Sequence, residues 1–311
     1  MPDEAIVQPV LPEGYRAGYC AIVGIPNAGK STLLNAILGT KLSIISAKPQ
    51  TTRKRVLGIH SSEMEQIVFL DTPGIMPRPT NLLHNAMLEQ VKRSFDDADV
   101  ILLLVEATKS PDRALPEAWK DYVRIAGEKP IVLALSKIDL VKDKTLLLPT
   151  LQKYGDMAIF KDLIPISAPK QKGLPDLLKT LRQYLPGKIP FYAQDEFSDQ
   201  NERFFVSELI REAIFSKFSE EIPYSTEVEI NEYAERENGK WYINAEIIVE
   251  RDSQKSIIIG KGGEALKAVG ARARHEIEQF VDHPVFLELH VRAREDWRND
   301  KNALKNFGYS I

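Results

Sequence analysis

The chain holds one cysteine, Cys20, set in an apolar run, so internal disulfides and a cysteine-built metal cluster are excluded. Cys20 reads as a small core residue rather than a reactive thiol. Long apolar runs are missing too. Nothing approaches the roughly 20 residues that a membrane-crossing helix needs. The first ten residues, MPDEAIVQPV, carry neither a basic region nor an extended apolar stretch, and the expectation is a cytoplasmic protein. Excess positive charge is also lacking. With 41 Lys and Arg against 44 Asp and Glu, the net charge is −3, which argues against a polycation that coats nucleic acid. No internal repeat or low-complexity tract interrupts the 311 residues. That length suits one very large domain or two ordinary ones. The composition, 43% hydrophobic and 27% charged, is that of an ordinary soluble globular chain.

From about Tyr19 to Leu185, short apolar runs (YCAIVG, IVFLDTPG, VILLLVEA, PIVLALSK, LIPISA) alternate with amphipathic stretches (KSTLLNAILG, NLLHNAMLEQVKRSF, LPEAWKDYVRIAG, LPDLLKTLRQYL). Continuous apolar strands between helices predict a parallel sheet covered on both faces, with ligands at the carboxyl ends of its strands. The stretch LPGKIPFYAQDEFSDQN then breaks the rhythm and reads as a linker. Beyond it, ERFFVSELIREAIFSKF is a helix with Phe205, Leu209, Ala213 and Phe215 at helical spacing. STEVEIN and WYINAEIIVE are strands joined at Asn238-Gly239, a hairpin signal. A glycine loop, a helix with Leu266, Val269, Ala273, Ile277 and Phe280 on one face, and the alternating run VFLELHV follow. This second part is α+β.

Residues Gly24 to Ser31, GIPNAGKS, fit G-x-x-x-x-G-K-S between a strand and a helix. The loop formed by Gly24, Asn27, Ala28 and Gly29 lets backbone N–H groups surround phosphate oxygens. Lys30 supplies positive charge to the β- and γ-phosphates, Ser31 offers its hydroxyl to Mg²⁺, and Thr32 continues the helix start. Asp71-Thr72-Pro73-Gly74 ends a strand. Asp71 is placed to reach the Mg²⁺ shell through water, and Gly74 to turn its N–H to a γ-phosphate. In ALSKIDL, Asp139 can accept from both N1–H and the 2-amino group of guanine, a pair that adenine lacks. The Lys137 stem can lie over the base. Ser167 and Ala168, in ISAPK, match the loop whose amide meets the guanine oxygen. The nucleotide expected is therefore GTP/GDP, and a metabolic P-loop kinase or ATPase is disfavoured.

These motifs resemble the translation-factor-related GTPases. With KPQTTRKRVLGI, SELIREAIFSKFSEEIPYSTEVEI and IIIGKGGEALKAVGARARHEIE added, nearly the whole chain resembles the Era family, GTPases with an appended KH domain. The resemblance implies an α/β P-loop GTPase domain, its sheet mostly parallel with helices on both faces, followed by a smaller α+β type II KH domain. The implied division is an N-terminal extension at 1–16, the GTPase domain at 17–185, a linker at 186–200 and the KH domain with its tail at 201–311. Thr51 and Thr52 then fall in switch I, with Thr52 joining Ser31 and Asp71 around Mg²⁺. Pro49 and the basic run Arg53, Lys54, Arg55 suit either a switch or a plain polar loop. Switch II starts at Asp71 to Gly74 and runs on through IMPRPTNLLHNAM. Asn27 matches an asparagine that ligates K⁺ in some related GTPases, though a loop-stabilising hydrogen bond suits it equally. Ile75 stands where some GTPases carry a water-orienting glutamine, so intrinsic hydrolysis is expected to be slow. Ser136 replaces the usual asparagine of N-K-x-D, and the expected loss is on the order of 1 kcal/mol of nucleotide affinity.

The second glycine loop, Gly260-Lys261-Gly262-Gly263, lacks a following Lys-Ser pair, which disfavours a second triphosphate. The resemblance implies a single strand of RNA passing over bare backbone, with bases in an apolar groove. Lys261 and Lys267 are the expected phosphate contacts. Arg272 and Arg274 either reach RNA or solvate the helix. Ile257, Ile258 and Ile259 are groove or core residues, and Trp297 either stacks on a base or caps the small core. Residues 201–250 hold five basic against twelve acidic side chains, and residues 251–311 eleven against nine, so any RNA contact is local to the loop half. The implied partners are the 3′ end of small-subunit (16S) ribosomal RNA and the 30S subunit, whose assembly the protein would assist. Peripheral association with the inner face of the cell membrane is also implied, and no structural metal. The alternative is a regulatory GTPase whose second domain docks protein or membrane partners.

Overall fold

The computed structural model describes residues 11–45, 48, 51–74, 79–115 and 119–309. The first unit comprises β1 (Arg16–Gly24), α1 (Lys30–Leu38), β2 (Val56–Ser61), β3 (Glu65–Asp71), α2 (Leu82–Asp97), β4 (Val100–Glu106), α3 (Pro111–Ala114), α4 (Trp119–Ala126), β5 (Ile131–Ser136), α5 (Leu147–Gly155), β6 (Asp162–Pro165) and α6 (Leu174–Arg182). Its six strands lie in the order β2-β3-β1-β4-β5-β6, and every pairing is parallel except β2 with β3. Alternate strand residues feed two cores. Ala21, Val23, Leu70 and Leu103 face Phe95, Tyr122 and Tyr154. Ile22, Phe69, Leu102 and Val132 face Leu33, Leu34, Leu177 and Leu181. Each buried Leu, Ile or Phe contributes about 1.5–3 kcal/mol, so both layers are bound tightly to the sheet. β1 has β3 on one side and β4 on the other, which opens a crevice at the carboxyl end of β1.

β2 was not anticipated as a strand. It is short, and its residues Leu57 and Ile59 are buried by packing that no local periodicity announces. Residues 186–200 run irregularly beside β1, β2 and β3. Gly187 pairs with Ala17, Gln66 holds the backbone of Phe191 and Tyr192, and Phe197 accepts from the Ile59 amide.

The second unit comprises α7 (Glu202–Lys217), β7 (Glu227–Ala234), β8 (Trp241–Val249), α8 (Asp252–Ile259), α9 (Glu264–Val281), β9 (Val285–Ala293) and α10 (Lys301–Asn306). β7 is antiparallel to β8, and β8 is parallel to β9. One correction concerns residues 252–259. The glycine loop does not follow a hairpin directly; it joins two helices, α8 and α9. Three successive β-branched isoleucines do not favour a helix locally, but Gln254 closes the start of α8 by accepting from the Glu250 and Arg251 amides. Of the three, Ile258 is fully buried and Ile257 is exposed, as one face of a helix requires.

α7 is buried on nearly all sides, from Phe205 to Phe215, polar Ser207, Arg211 and Glu212 included. It lies between the three-stranded sheet and the first unit. A second apolar seam joins α2 to the tail: Leu83, Ala86 and Met87 pack on Trp297, Leu304 and Phe307. Trp297 is fully buried and donates from Nε1 to the Ser225 carbonyl at 3.0 Å. It caps a core and does not present a stacking face.

Candidate nucleotide site and nucleic-acid groove

At the end of β1, Gly24 turns at φ 157°, where a Cβ would sit 2.7 Å from the Leu104 carbonyl oxygen. Gly29, at φ 102°, starts α1, and no side chain caps that helix. Its first amides are therefore directed at the cavity of about 250 Å³ that Asn27, Gly29, Lys30, Ser31, Thr32, Thr51, Thr52, Gly74 and Lys137 line. Lys30 is 6% exposed and reaches back to the Gly24 and Ile25 carbonyls at 3.3 and 3.4 Å. Burial pushes its ammonium down from the ordinary lysine range, and the charge of Asp71 opposes that shift.

Ser31 Oγ lies 3.0 Å from Thr52 Oγ1 and donates to Asp71 Oδ2 at 3.0 Å. Burial raises the Asp71 carboxyl against the pull of Lys30 and Ser31. Asp71 Oδ1 is buried close to the Ser43 hydroxyl, which helps hold the carboxyl down, but no hydrogen bond of ordinary geometry reaches either atom. Three hard oxygens on separate elements, one of them a carboxylate with an unpartnered atom, are the donor set that Mg²⁺ prefers. Thr72 turns away and donates to the Ile22 carbonyl at 2.8 Å, pinning β3 to β1. A Cβ on Gly74 would come within 3.0 Å of the Pro26 ring, so a bare residue lets the two loops approach. Switch II beyond Gly74, with Ile75, lies outside the described residues until Pro79, and so does Pro49.

At the far end, Ser167 Oγ donates to Asp139 Oδ1 at 2.6 Å and fixes the carboxylate. Lys137, in the left-handed conformation at φ 59°, lies 3.2 Å from Glu106. Glu106, at the end of β4, was not singled out beforehand. Burial would raise its carboxyl, but Thr108, Lys109 and Lys137 hold it below the usual range. Ser136 donates to the Ala28 carbonyl at 2.7 Å and to the Val105 carbonyl at 3.1 Å. The shorter side chain thus keeps a tie to the phosphate loop. Ala168 is buried next to this pocket.

In the second unit, Gly260, Gly262 and Gly263 all have positive φ, at 72°, 60° and 80°. A Cβ on Gly260 would meet the Ala265 Cβ at 2.7 Å, whereas Gly262 and Gly263 border open space. Lys261 and Gly262 are exposed. The loop borders a groove of about 430 Å³ with Leu266, Gly270, Ala271, Leu287 and Leu289 as its apolar floor and Lys267 and Arg274 on its rim. Leu287 and Leu289 come from β9, a contribution that spacing along α9 could not disclose. Arg272 is not among the lining residues; its charge acts on Glu276, one turn along the helix.

A phosphate loop on a mostly parallel sheet, with a guanine-type pocket, defines a P-loop GTPase, here joined to a KH-type unit. Family models agree in both halves: "50S ribosome-binding GTPase" matches residues 19–137 and "KH domain" matches residues 221–298. GTPase Era of Geobacter sp. (strain M21) is 46% identical over 95% of this chain and 98% of its own length. GTPase Era of Xylella fastidiosa (strain M12) is 43% identical with the same coverage. The solved structure of Era in complex with MgGDPNP and nucleotides 1506–1542 of 16S ribosomal RNA covers 96% of this chain and all of its own, at TM-score 0.90 and 40% identity. An Aquifex aeolicus Era variant bound to GDP and AlF4⁻ gives a TM-score of 0.89 at 40% identity over 95% of this chain. The chain belongs to the Era family of GTPases, enzymes that convert GTP to GDP and phosphate.

Proposed function

We propose that the chain is a GTP-driven switch that grips the 3′ end of small-subunit ribosomal RNA and assists assembly of the 30S subunit. The GTPase unit is residues 17–185, the linker 186–200 and the RNA-binding unit 201–311. The single observation that carries the switch is the cluster of Ser31, Thr52 and Asp71 oxygens beside Lys30. Ser31 and Thr52 hold Mg²⁺ with their hydroxyls, and Asp71 holds it through water. When bound there, Mg²⁺ would supply positive charge against the phosphates during hydrolysis. Lys30 and the first amides of α1 bind and orient the phosphates. Asp139, fixed by Ser167, selects guanine, and the Lys137 stem covers the base. With isoleucine after Gly74, no side chain at that position orients water, and the intrinsic rate is slow. Asn27 would hold K⁺ if that ion takes part, or else only steady the loop; comparing hydrolysis in potassium and sodium decides between the two.

The Era–rRNA complex, similar over nearly the whole chain, supports RNA as the second ligand. The apolar floor from Leu266 to Leu289 suits unstacked bases, and the rim cations suit phosphates. No helix among the described residues is long and apolar enough to cross a membrane. The test is affinity for a 3′-terminal 16S oligonucleotide and a scrambled one, each with GDP and with a non-hydrolysable GTP analogue. The 3′ sequence should bind more tightly, and its affinity should change with nucleotide. Equal binding of both sequences would sink the RNA reading and favour a docking module for protein or membrane partners.

A further inference from the structure

Residues 51–55 run between the nucleotide site and the second unit, and their contacts alternate between the two. Thr52 directs its hydroxyl to Ser31. On one side of it, the Thr51 carbonyl accepts from Arg211 Nη2 of α7. On the other, Arg53 is 2% exposed and donates to the carbonyls of Thr226 (2.6 Å), Tyr224 (2.8 Å) and Pro223 (2.9 Å), with Glu227 at 3.4 Å. Arg211 is 1% exposed and is held by Glu208 at 2.7 and 2.8 Å. Two buried guanidiniums from opposite units thus fix the backbone on both sides of one threonine.

Buried arginines are a costly way to join domains, because desolvation consumes most of what the ion pairs return. The apolar seam from Leu83 and Met87 to Trp297 already supplies adhesion without that cost. Buried charge does supply geometry: each guanidinium is a planar fork, and its acceptors must be correctly placed to receive it. Here the acceptors include the switch backbone itself. Other polar contacts cross the interface as well, Lys41 to Glu212 and Glu276 and Lys48 to the Phe215 and Phe218 carbonyls, but at residues 51–53 fully buried guanidiniums hold the backbone next to the Thr52 hydroxyl.

We propose that Arg211 and Arg53 are positioning residues for GTP hydrolysis: the RNA-binding unit, through these two side chains, holds the Thr52 hydroxyl where Mg²⁺ and the γ-phosphate require it. The proposal rests on the reading of Ser31, Thr52 and Asp71 as the Mg²⁺ site. The GTPase site is then completed by a second domain of the same chain. Displacing that domain releases Thr52 and disfavours the triphosphate state, while GDP, which lacks the γ-phosphate, is held as before. By reciprocity, GTP favours the docked arrangement by the same factor.

The experiment uses the full chain and the variants Arg211→Met, Arg211→Lys, Arg53→Met, Thr52→Ala and the double variant Thr52→Ala/Arg211→Met. Dissociation constants for Mg²⁺-GDP and for a Mg²⁺-bound non-hydrolysable GTP analogue are measured for each, and amide exchange over residues 51–55 is followed in the nucleotide-free chain. Arg211→Met and Arg53→Met should weaken the analogue about tenfold and GDP less than about twofold. Exchange at 51–55 should quicken in both. Arg211→Lys keeps the buried charge beside Glu208 and guards against simple unfolding; it should fall between Arg211→Met and the unaltered chain. In the Thr52→Ala background, Arg211→Met should add nothing further. Equal losses for GDP and analogue, or independent losses that multiply in the double variant, would overturn the positioning role. If Thr52→Ala itself left the analogue's affinity unchanged, the ion site would be wrong and the inference would fall with it.

Discussion

The chain uses one elementary device twice, a glycine loop opening into a helix, and the two loops behave oppositely. The loop at Gly24–Ser31 is enclosed: Lys30 is 6% exposed, Asp71 fully buried, and a Cβ on Gly24 has no room. The loop at Gly260–Gly263 is open: Lys261 and Gly262 are exposed, and Gly262 and Gly263 border empty space. Enclosure strips water from charges and makes each contact with a small anion strong and geometrically demanding. Openness leaves charges solvated and admits a polymer of any length, so its grip is the sum of several weak contacts and is sensitive to salt. The difference lies both in the loops, since only the first is followed by a Lys-Ser pair, and in what surrounds them.

The largest expected effect comes from the enclosed side. Lys30→Ala should weaken GDP and GTP by roughly a hundredfold, the loss of about 3 kcal/mol of charge-assisted bonding, and leave RNA affinity in the GDP-free chain intact. Calorimetry with both ligands checks this; parallel losses would mean that the two loops are not independent devices. Next, Gly262→Asp puts a carboxylate on the open backbone. RNA affinity should fall about tenfold or more, with GDP binding unchanged, as read by filter binding and nucleotide titration. Ser136→Ala removes the hydroxyl that ties to the Ala28 carbonyl. GDP should dissociate about fivefold faster, in line with about 1 kcal/mol for one buried hydrogen bond. The smallest effect is on the groove rim: Lys267→Ala should weaken RNA binding a few-fold for all sequences and lower the salt slope by about one unit. A salt slope that did not move would remove Lys267 from the phosphate path.

Much of the nucleotide site was legible because it is local. The phosphate loop occupies eight consecutive residues, and the run from Ser136 to Asp139 and the Ser167–Ala168 pair are each a few residues long. What escaped notice was assembled over distance. Glu106 pairs with Lys137 only because β4 and β5 are neighbours. Leu287 and Leu289 join the apolar groove only because β9 lies alongside α9. The helix α8 was not read from the sequence, because the β-branched Ile257–Ile259 do not favour a helix locally, while Gln254 and the burial of Ile258 stabilise it. The buried pairing of Arg53 with Glu227 spans 174 positions, and nothing in either neighbourhood announces it.

By itself, then, the amino-acid order determined the two units, most of their strand and helix periodicity (β2 and α8 excepted) and the residue types of both glycine loops, because each depends on residues within a few turns of one another. Only the tertiary structure decided that α7 would be buried on nearly all sides, that Trp297 would face the α2 seam, and that Thr52 would be flanked by two buried arginines. Those outcomes follow from which surfaces meet once both units are formed, and burial at a meeting surface is a property of two partners that neither stretch encodes alone.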